Sequence, residues 1–301
     1  MGGIGVKLMP LLHSREVEKF IKILYNRNEI SKEMTSYMEK IITINPYSMT
    51  SYYVDVFFND IKLSNATCFF TKIKDTYYLV TNWHIVSGRN ADTKECLNKM
   101  GSVPNKLRVY VPKEDDNSTI SYCDNFYMDV ELLDQDGNKM WYEMQRNNRM
   151  IDVAIIPLKD IKGVCTTIEQ AEEPFNEQVH FEIASEIYII GFPFGKQTGY
   201  VPIWKKASVA SEPELDVEEM PYFFADTATK SGMSGSPVIL YKDRPAVLFN
   251  EKEKKMSRHW TKFIGIYSGR IGADDGEKGD AQLGRVWKSS VIQELIDKYE
   301  K

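Results

Sequence analysis

From residue 52 onward the sequence predicts an all-β protein of barrels or sandwiches, with its strands in two groups. Short runs rich in Val, Ile, Tyr and Phe recur there at intervals punctuated by turn residues. A polar, helix-tolerant stretch over 159–178 divides these runs. No internal repeat of a solenoid type is visible.

Residues up to about 45 have a different texture. Val17, Phe20, Ile21 and Leu24 recur at helical spacing behind Ser14 as a cap, and Met34, Tyr37, Met38 and Ile41 do so behind Ser31. Two short amphipathic helices joined near Arg27-Asn28 are therefore expected, an N-terminal helical extension over 1–48 that packs on the body or docks a regulator. The first strand group, 49–160, has strands at 52–58, 67–73, 77–81, 107–111, 126–133 and 153–158, with Lys74-Asp75 and Asp136-Gly137 as hairpin turns. A linker over 161–180 leads to the second group, 181–287, with strands at 187–190, 203–209, 222–225, 238–240 and 263–267. Val291, Leu295 and Ile296 then mark a C-terminal helix within 288–301.

Composition excludes several classes of function. The chain of 301 residues is 43% hydrophobic and 27% charged, ordinary for a soluble globular protein. Its net charge of -5 argues against a nucleic-acid binder, which needs concentrated Lys and Arg. The charged run at 251–255 mixes signs and reads as a solvated loop. Cys68, Cys96, Cys123 and Cys165 are scattered without zinc-ligand spacing, as free thiols in a reducing compartment are. Lys7 and Pro10 interrupt the only apolar run near the start, so no signal peptide is expected, and no window is long and apolar enough to span a membrane. The expected setting is cytoplasmic.

The stretch Lys230-Ser231-Gly232-Met233-Ser234-Gly235-Ser236-Pro237-Val238 carries the chemistry. Glycines around a serine let the chain turn tightly and leave its hydroxyl and nearby amides unshielded. Attack by a serine on a carbonyl needs an approachable oxygen and bare N–H groups for the oxyanion, here those of Gly232 and Ser234. A glycine-serine turn between two strands would use the same residues, so the partners decide.

Of the histidines, His13 and His259 sit in polar stretches, and His180 alternates with Val179 and Phe181 as a strand residue does. His84 follows the apolar strand ending at Val80 and opens a short turn, where it is held rigidly and can still face a cleft; the other reading is a core histidine satisfied by backbone. Asp152 stands between Ile151 and the run Val153-Ala154-Ile155-Ile156-Pro157-Leu158. A carboxylate so placed needs a hydrogen-bond partner, and an imidazole N–H is a suitable one. Asp129 is the weaker candidate.

Val80-Thr81-Asn82-Trp83-His84, Asp152-Val153-Ala154-Ile155 and Gly232-Met233-Ser234-Gly235-Ser236-Pro237 resemble, in that order, the three signature blocks of trypsin-like (chymotrypsin-fold) serine peptidases. Ile189-Ile190-Gly191-Phe192-Pro193-Phe194-Gly195 and Ala225-Asp226-Thr227-Ala228 resemble stretches of the bacterial branch, which includes HtrA-like and glutamyl endopeptidases. The likeness runs from about Tyr52 to Tyr299. It implies two antiparallel six-stranded β-barrels with the active site between them, His84 and Asp152 coming from the first barrel and Ser234 from the second. It also implies a catalytic triad of these three, an oxyanion hole at Gly232 and Ser234, a protein or peptide substrate, and no metal or organic cofactor.

Three departures from the family pattern shape the expectation. Met233 replaces the aspartate that pairs with a newly cleaved N-terminus in animal digestive members, so activation of that kind is not expected. Ile85 stands where those enzymes carry a disulfide cysteine. No PDZ-like domain is expected after the second barrel. By the same resemblance the primary specificity pocket involves Ala228, Thr229, Tyr267, Ser268, Gly269 and Arg270, implying a small, polar or acidic P1 residue. The alternative function is a catalytically silent protein-binding module of the same fold. Restraint of an intracellular protease would fall to a partner at the N-terminal helices or at the insertions over 89–104 and 243–260.

Overall fold

The structure, a computed structural model, is described for residues 44–114, 120–121, 126–172, 180–195, 201–242, 246–249, 254–257, 260–270 and 282–300. The two expected N-terminal helices, His13, His259 and Cys123 lie outside the described residues.

Six strands form the first antiparallel sheet: β1 (Ser51–Phe58), β2 (Ile61–Ile73), β3 (Thr76–Thr81), β4 (Lys106–Tyr110), β5 (Tyr127–Glu131) and β6 (Ala154–Leu158), in the order β6-β3-β2-β1-β4-β5. β2 is long enough to serve two partners. Its residues 61–69 pair with β1 and 69–73 with β3, which lets the sheet turn a corner. The two edges approach each other through the segment after β5. Met140 N–H donates to the Leu132 carbonyl at 3.0 Å, and Tyr142 exchanges both backbone bonds with Ile155 of β6, at 2.7 and 3.3 Å. Isolated bridges thus link the two edges without a ladder between them, so the first set is a half-barrel and not the closed six-stranded barrel expected.

The second set closes completely: β7 (Glu186–Gly191), β8 (Ile203–Val209), β9 (Tyr222–Asp226), β10 (Pro237–Lys242), β11 (Trp260–Arg270) and β12 (Leu283–Lys288), in the cyclic order β7-β8-β9-β12-β11-β10. The sequence did not single out β12, whose apolar pattern is broken by Gly284 and Arg285. Gly284 is needed there, because a Cβ would lie 2.5 Å from the Tyr267 ring. His180 is exposed and outside any strand, contrary to expectation; a turn through Ala184, at φ 63°, intervenes before β7.

Side chains alternate across a strand, so each strand offers a face to its own barrel and a face outward. On β2, β3 and β6 both faces are buried. Ala66, Cys68, Phe70, Leu79, Ala154 and Ile156 fill the first barrel. Phe69, Tyr78, Val80 and Ile155 point the other way, into a cluster with Ile190, Ile239, Ile266 and Trp287 of the second set. That double burial explains the unbroken apolar run after Asp152.

The C-terminal helix α3 (Ser290–Tyr299) adds Val291, Ile292, Leu295 and Ile296 to the same cluster. Two shorter helices precede it, α1 (Trp83–Ser87) and α2 (Ile168–Ala171). Burying Leu295 completely contributes about 2–3 kcal/mol to the joint between the barrels. Among the described residues no helix is long and apolar enough to cross a membrane.

Candidate active site

His84 is presented by α1, a helix of little more than one turn. Trp83, Ile85, Val86 and Ser87 are buried, whereas the His84 side chain keeps 17% exposure, so the helix anchors itself on the core and offers its histidine to the cleft. Gly88 ends the helix in the left-handed conformation at φ 64°, where Pro104 leaves no room for a Cβ.

Asp152, 3% exposed, meets this residue twice. The His84 backbone N–H donates to Oδ1 at 2.8 Å, and His84 Nδ1 lies 2.7 Å from Oδ2. An ionised carboxylate only accepts, so the proton of a neutral imidazole sits on Nδ1 and Nε2 is left as a base. Asn82 donates through Nδ2 to the Asp152 carbonyl at 2.8 Å, fastening the aspartate from behind. Asn82 stands where a helix N-cap is expected, but its side chain makes no cap bond. Asp129, the weaker candidate, is occupied elsewhere: Arg108 donates to both of its oxygens at 2.8 Å and holds its carboxyl below the usual carboxylate range.

The turn carrying Ser234 lies on β2 and on the end of β3, the strand that leads to His84. Thr67 N–H of β2 donates to the Ser234 carbonyl at 2.9 Å. Gly235, at φ 83°, fits so closely that a Cβ would be 2.1 Å from the Thr67 carbonyl oxygen and 2.5 Å from Thr81 Oγ1. Thr81, three residues before His84, pairs with Ala154, two residues after Asp152. The three candidate segments therefore converge, although 68 residues separate His84 from Asp152.

Four consecutive carbonyls of this turn are held. Ser231 C=O accepts from Phe194 N–H at 2.7 Å, Met233 C=O from Ser236 N–H at 3.1 Å, and Ser234 C=O from Thr67 N–H. Gly232 C=O accepts from Thr67 Oγ1 at 2.8 Å. In a trans peptide the N–H points opposite to its C=O. Tying down the Ser231 and Met233 carbonyls therefore directs the Gly232 and Ser234 N–H groups the other way. Among the described residues neither of these N–H groups donates a hydrogen bond within the chain. Two bare donors one residue apart can receive a developing oxyanion if they converge on one point. Met233 itself is buried in the second barrel, which anchors the turn from within.

The 191–195 stretch braces this turn. Gly191 faces Ser236 so closely that a Cβ would come within 2.1 Å of its Oγ, and Phe194 adopts φ 55° to aim its N–H at Ser231. Phe194 and Thr67 hold the turn through contacts that no local pattern flags, Phe194 by its backbone N–H and Thr67 by its backbone N–H and hydroxyl.

The residues expected at the specificity pocket are spread between surface and core. Ala228 is exposed. Thr229 and Tyr267 are buried and share a hydrogen bond between their hydroxyls, with burial pushing the Tyr267 hydroxyl up to about 12. Tyr267 also exchanges backbone bonds with the Ser234 turn, donating to Ser236 C=O and accepting from Gly235 N–H, each at 2.9 Å. Ser268 Oγ accepts from Trp287 Nε1 at 3.0 Å, while Gly269, at φ 116°, has open space around its Cβ position. Arg270 is half-exposed and its charge acts on the Tyr267 hydroxyl. Among the described residues no group of three His, Cys, Asp or Glu side chains is placed to hold a metal ion.

A family model described as a trypsin-like peptidase domain matches residues 66–245, more than half of the chain. Among solved structures, the chain is similar to a serine endoprotease from Yersinia pestis at 12% identity, over 86% of this chain and 67% of that one, with a TM-score of 0.44. It is similar also to a thermostable serine protease from an extremophilic microorganism at 12% identity, over 85% of this chain and 99% of that one, with a TM-score of 0.44. No curated protein matches the sequence.

Proposed function

Because this chain belongs to the trypsin-like peptidase domain family and is a serine endopeptidase acting on protein or peptide chains, we propose that His84, Asp152 and Ser234 are its catalytic triad. The observation that carries this reading is the double contact of Asp152 with the His84 backbone and Nδ1, which leaves Nε2 free to act as a base. Ser234 Oγ attacks the scissile carbonyl while His84 Nε2 takes its proton. Asp152 holds the imidazole in position and stabilises the imidazolium that results. The Gly232 and Ser234 N–H groups bind the oxyanion, each worth about 3 kcal/mol in the transition state. Collapse of the tetrahedral intermediate breaks the C–N bond, and His84 returns the proton to the leaving amine. Water, deprotonated by His84, then attacks the acyl-enzyme and releases the acid with Ser234 restored.

The test is chemical labelling. Incubation with a fluorophosphonate should yield one covalent adduct, located by peptide mass spectrometry on Ser234. Adduct on another serine, or no adduct under conditions where the protein is folded, would refute the assignment; the second result would favour a silent binding module.

Substrate preference follows from what lies behind the nucleophile. Tyr267 fills the second barrel beside Thr229, while Gly269, with open space at its Cβ position, and the half-exposed Arg270 follow it in β11. The proposed P1 residue is small, polar or acidic. Cleavage of a randomised peptide library should show it, and a predominance of Lys or Arg at P1 would contradict it.

A further inference from the structure

Thr67 looks like any threonine in a strand, yet three of its hydrogen bonds end on the Ser234 turn or on the Phe192 segment beside it. Its N–H holds Ser234 C=O, and its Oγ1 donates to Gly232 C=O at 2.8 Å while accepting from Phe192 N–H at 3.3 Å. Its own carbonyl accepts from Thr81 Oγ1 at 2.9 Å. One hydroxyl can do both of its jobs, since it has one donor and two acceptor sites.

Gly232 sits at φ 95°, a conformation that glycine reaches at little cost but does not hold by itself. Its orientation must come from outside the turn. Thr67 Oγ1 supplies it twice: directly at Gly232 C=O, and indirectly through the Phe192 segment, whose Phe194 N–H holds Ser231 C=O. We propose that Thr67 is a positioning residue for the oxyanion hole, its hydroxyl fixing the Gly232–Met233 peptide that lies between the Gly232 and Ser234 N–H groups. Thr67 is fully buried, so it does this without touching substrate. The inference rests on the reading that Ser234 is the nucleophile.

Thr67→Val keeps the shape and removes the hydroxyl. Its kcat, per site titrated with fluorophosphonate, should fall about 10²-fold, as when one oxyanion donor is lost, with KM changed less than about threefold. Affinity for a peptide aldehyde, whose adduct oxygen occupies the same place, should fall by a similar factor. Thr67→Ser should restore kcat to within about threefold of the unaltered protein. A purely structural role would lower Tm while leaving kcat per titrated site intact. Unchanged kcat in Thr67→Val, or Thr67→Ser as slow as Thr67→Val, overturns the proposal. Thr67→Ala carries the same expectation if the valine variant does not fold. Ser234→Ala separates the two levels: activity surviving there removes the triad reading itself, whereas loss there with normal kcat in Thr67→Val removes only this inference.

Discussion

Ser234→Ala is expected to lower kcat by about 10⁶-fold, the scale on which an acyl-transfer enzyme falls when its nucleophile alone is removed. The change deletes one oxygen and no part of the scaffold. Alanine keeps the carbonyl that Thr67 N–H holds and the backbone N–H of the residue. Ser234 is only partly buried, so no cavity forms in the core. Thermal unfolding should therefore stay within about 2 °C of the unaltered protein, since surface-side changes seldom exceed half a kcal/mol. Turnover of a peptide substrate by purified Ser234→Ala, within tenfold of the unaltered enzyme, would show that another group attacks the carbonyl.

The second large effect is expected at Asp152. Asp152→Asn should reduce kcat by about 10⁴-fold, or about 5.5 kcal/mol of transition-state stabilisation. Both carboxylate oxygens face donors, the His84 backbone N–H at 2.8 Å and Nδ1 at 2.7 Å. An asparagine has one acceptor to offer. If its oxygen goes to the backbone, the amide group meets Nδ1 and forces the proton to Nε2, where the base is needed. If it goes to Nδ1, the backbone N–H loses its partner and α1 loses its fastening.

Asp129→Asn is the control that distinguishes the two carboxylates. It disturbs only a half-exposed pair with Arg108, and kcat should stay within about twofold. Equal losses at the two positions, measured on the same substrate, would argue that Asp152 has no special relation to His84.

The pairing of Asp152 with His84 was legible in the residues because burial makes a demand. A carboxylate leading into Val153-Ala154-Ile155-Ile156 must find a donor, and few side chains in this chain can supply one at a strand mouth. The turn at Ser234 was legible for the opposite reason, its glycines marking a place where the backbone approaches other atoms closely. At Gly235 and Gly191 that approach is 2.1 Å for an absent Cβ. Tyr267 was legible as a neighbour of the site but not in its posture. Its ring is accommodated by Gly284 on a strand that the sequence pattern did not reveal.

The sequence by itself determined the strand alternation, the turns and the kind of chemistry, because each of these is written within a few neighbouring residues. Tertiary structure alone decided how the Gly232 and Ser234 N–H groups are aimed. The carbonyls of residues 231–234 are held partly by Thr67, 165 positions away from Gly232, and by Phe194, which belongs to another segment. A backbone carbonyl accepts whatever side chain its residue carries, and a strand threonine looks like any other, so contacts of this kind leave no local pattern to read and arise only when the segments pack together.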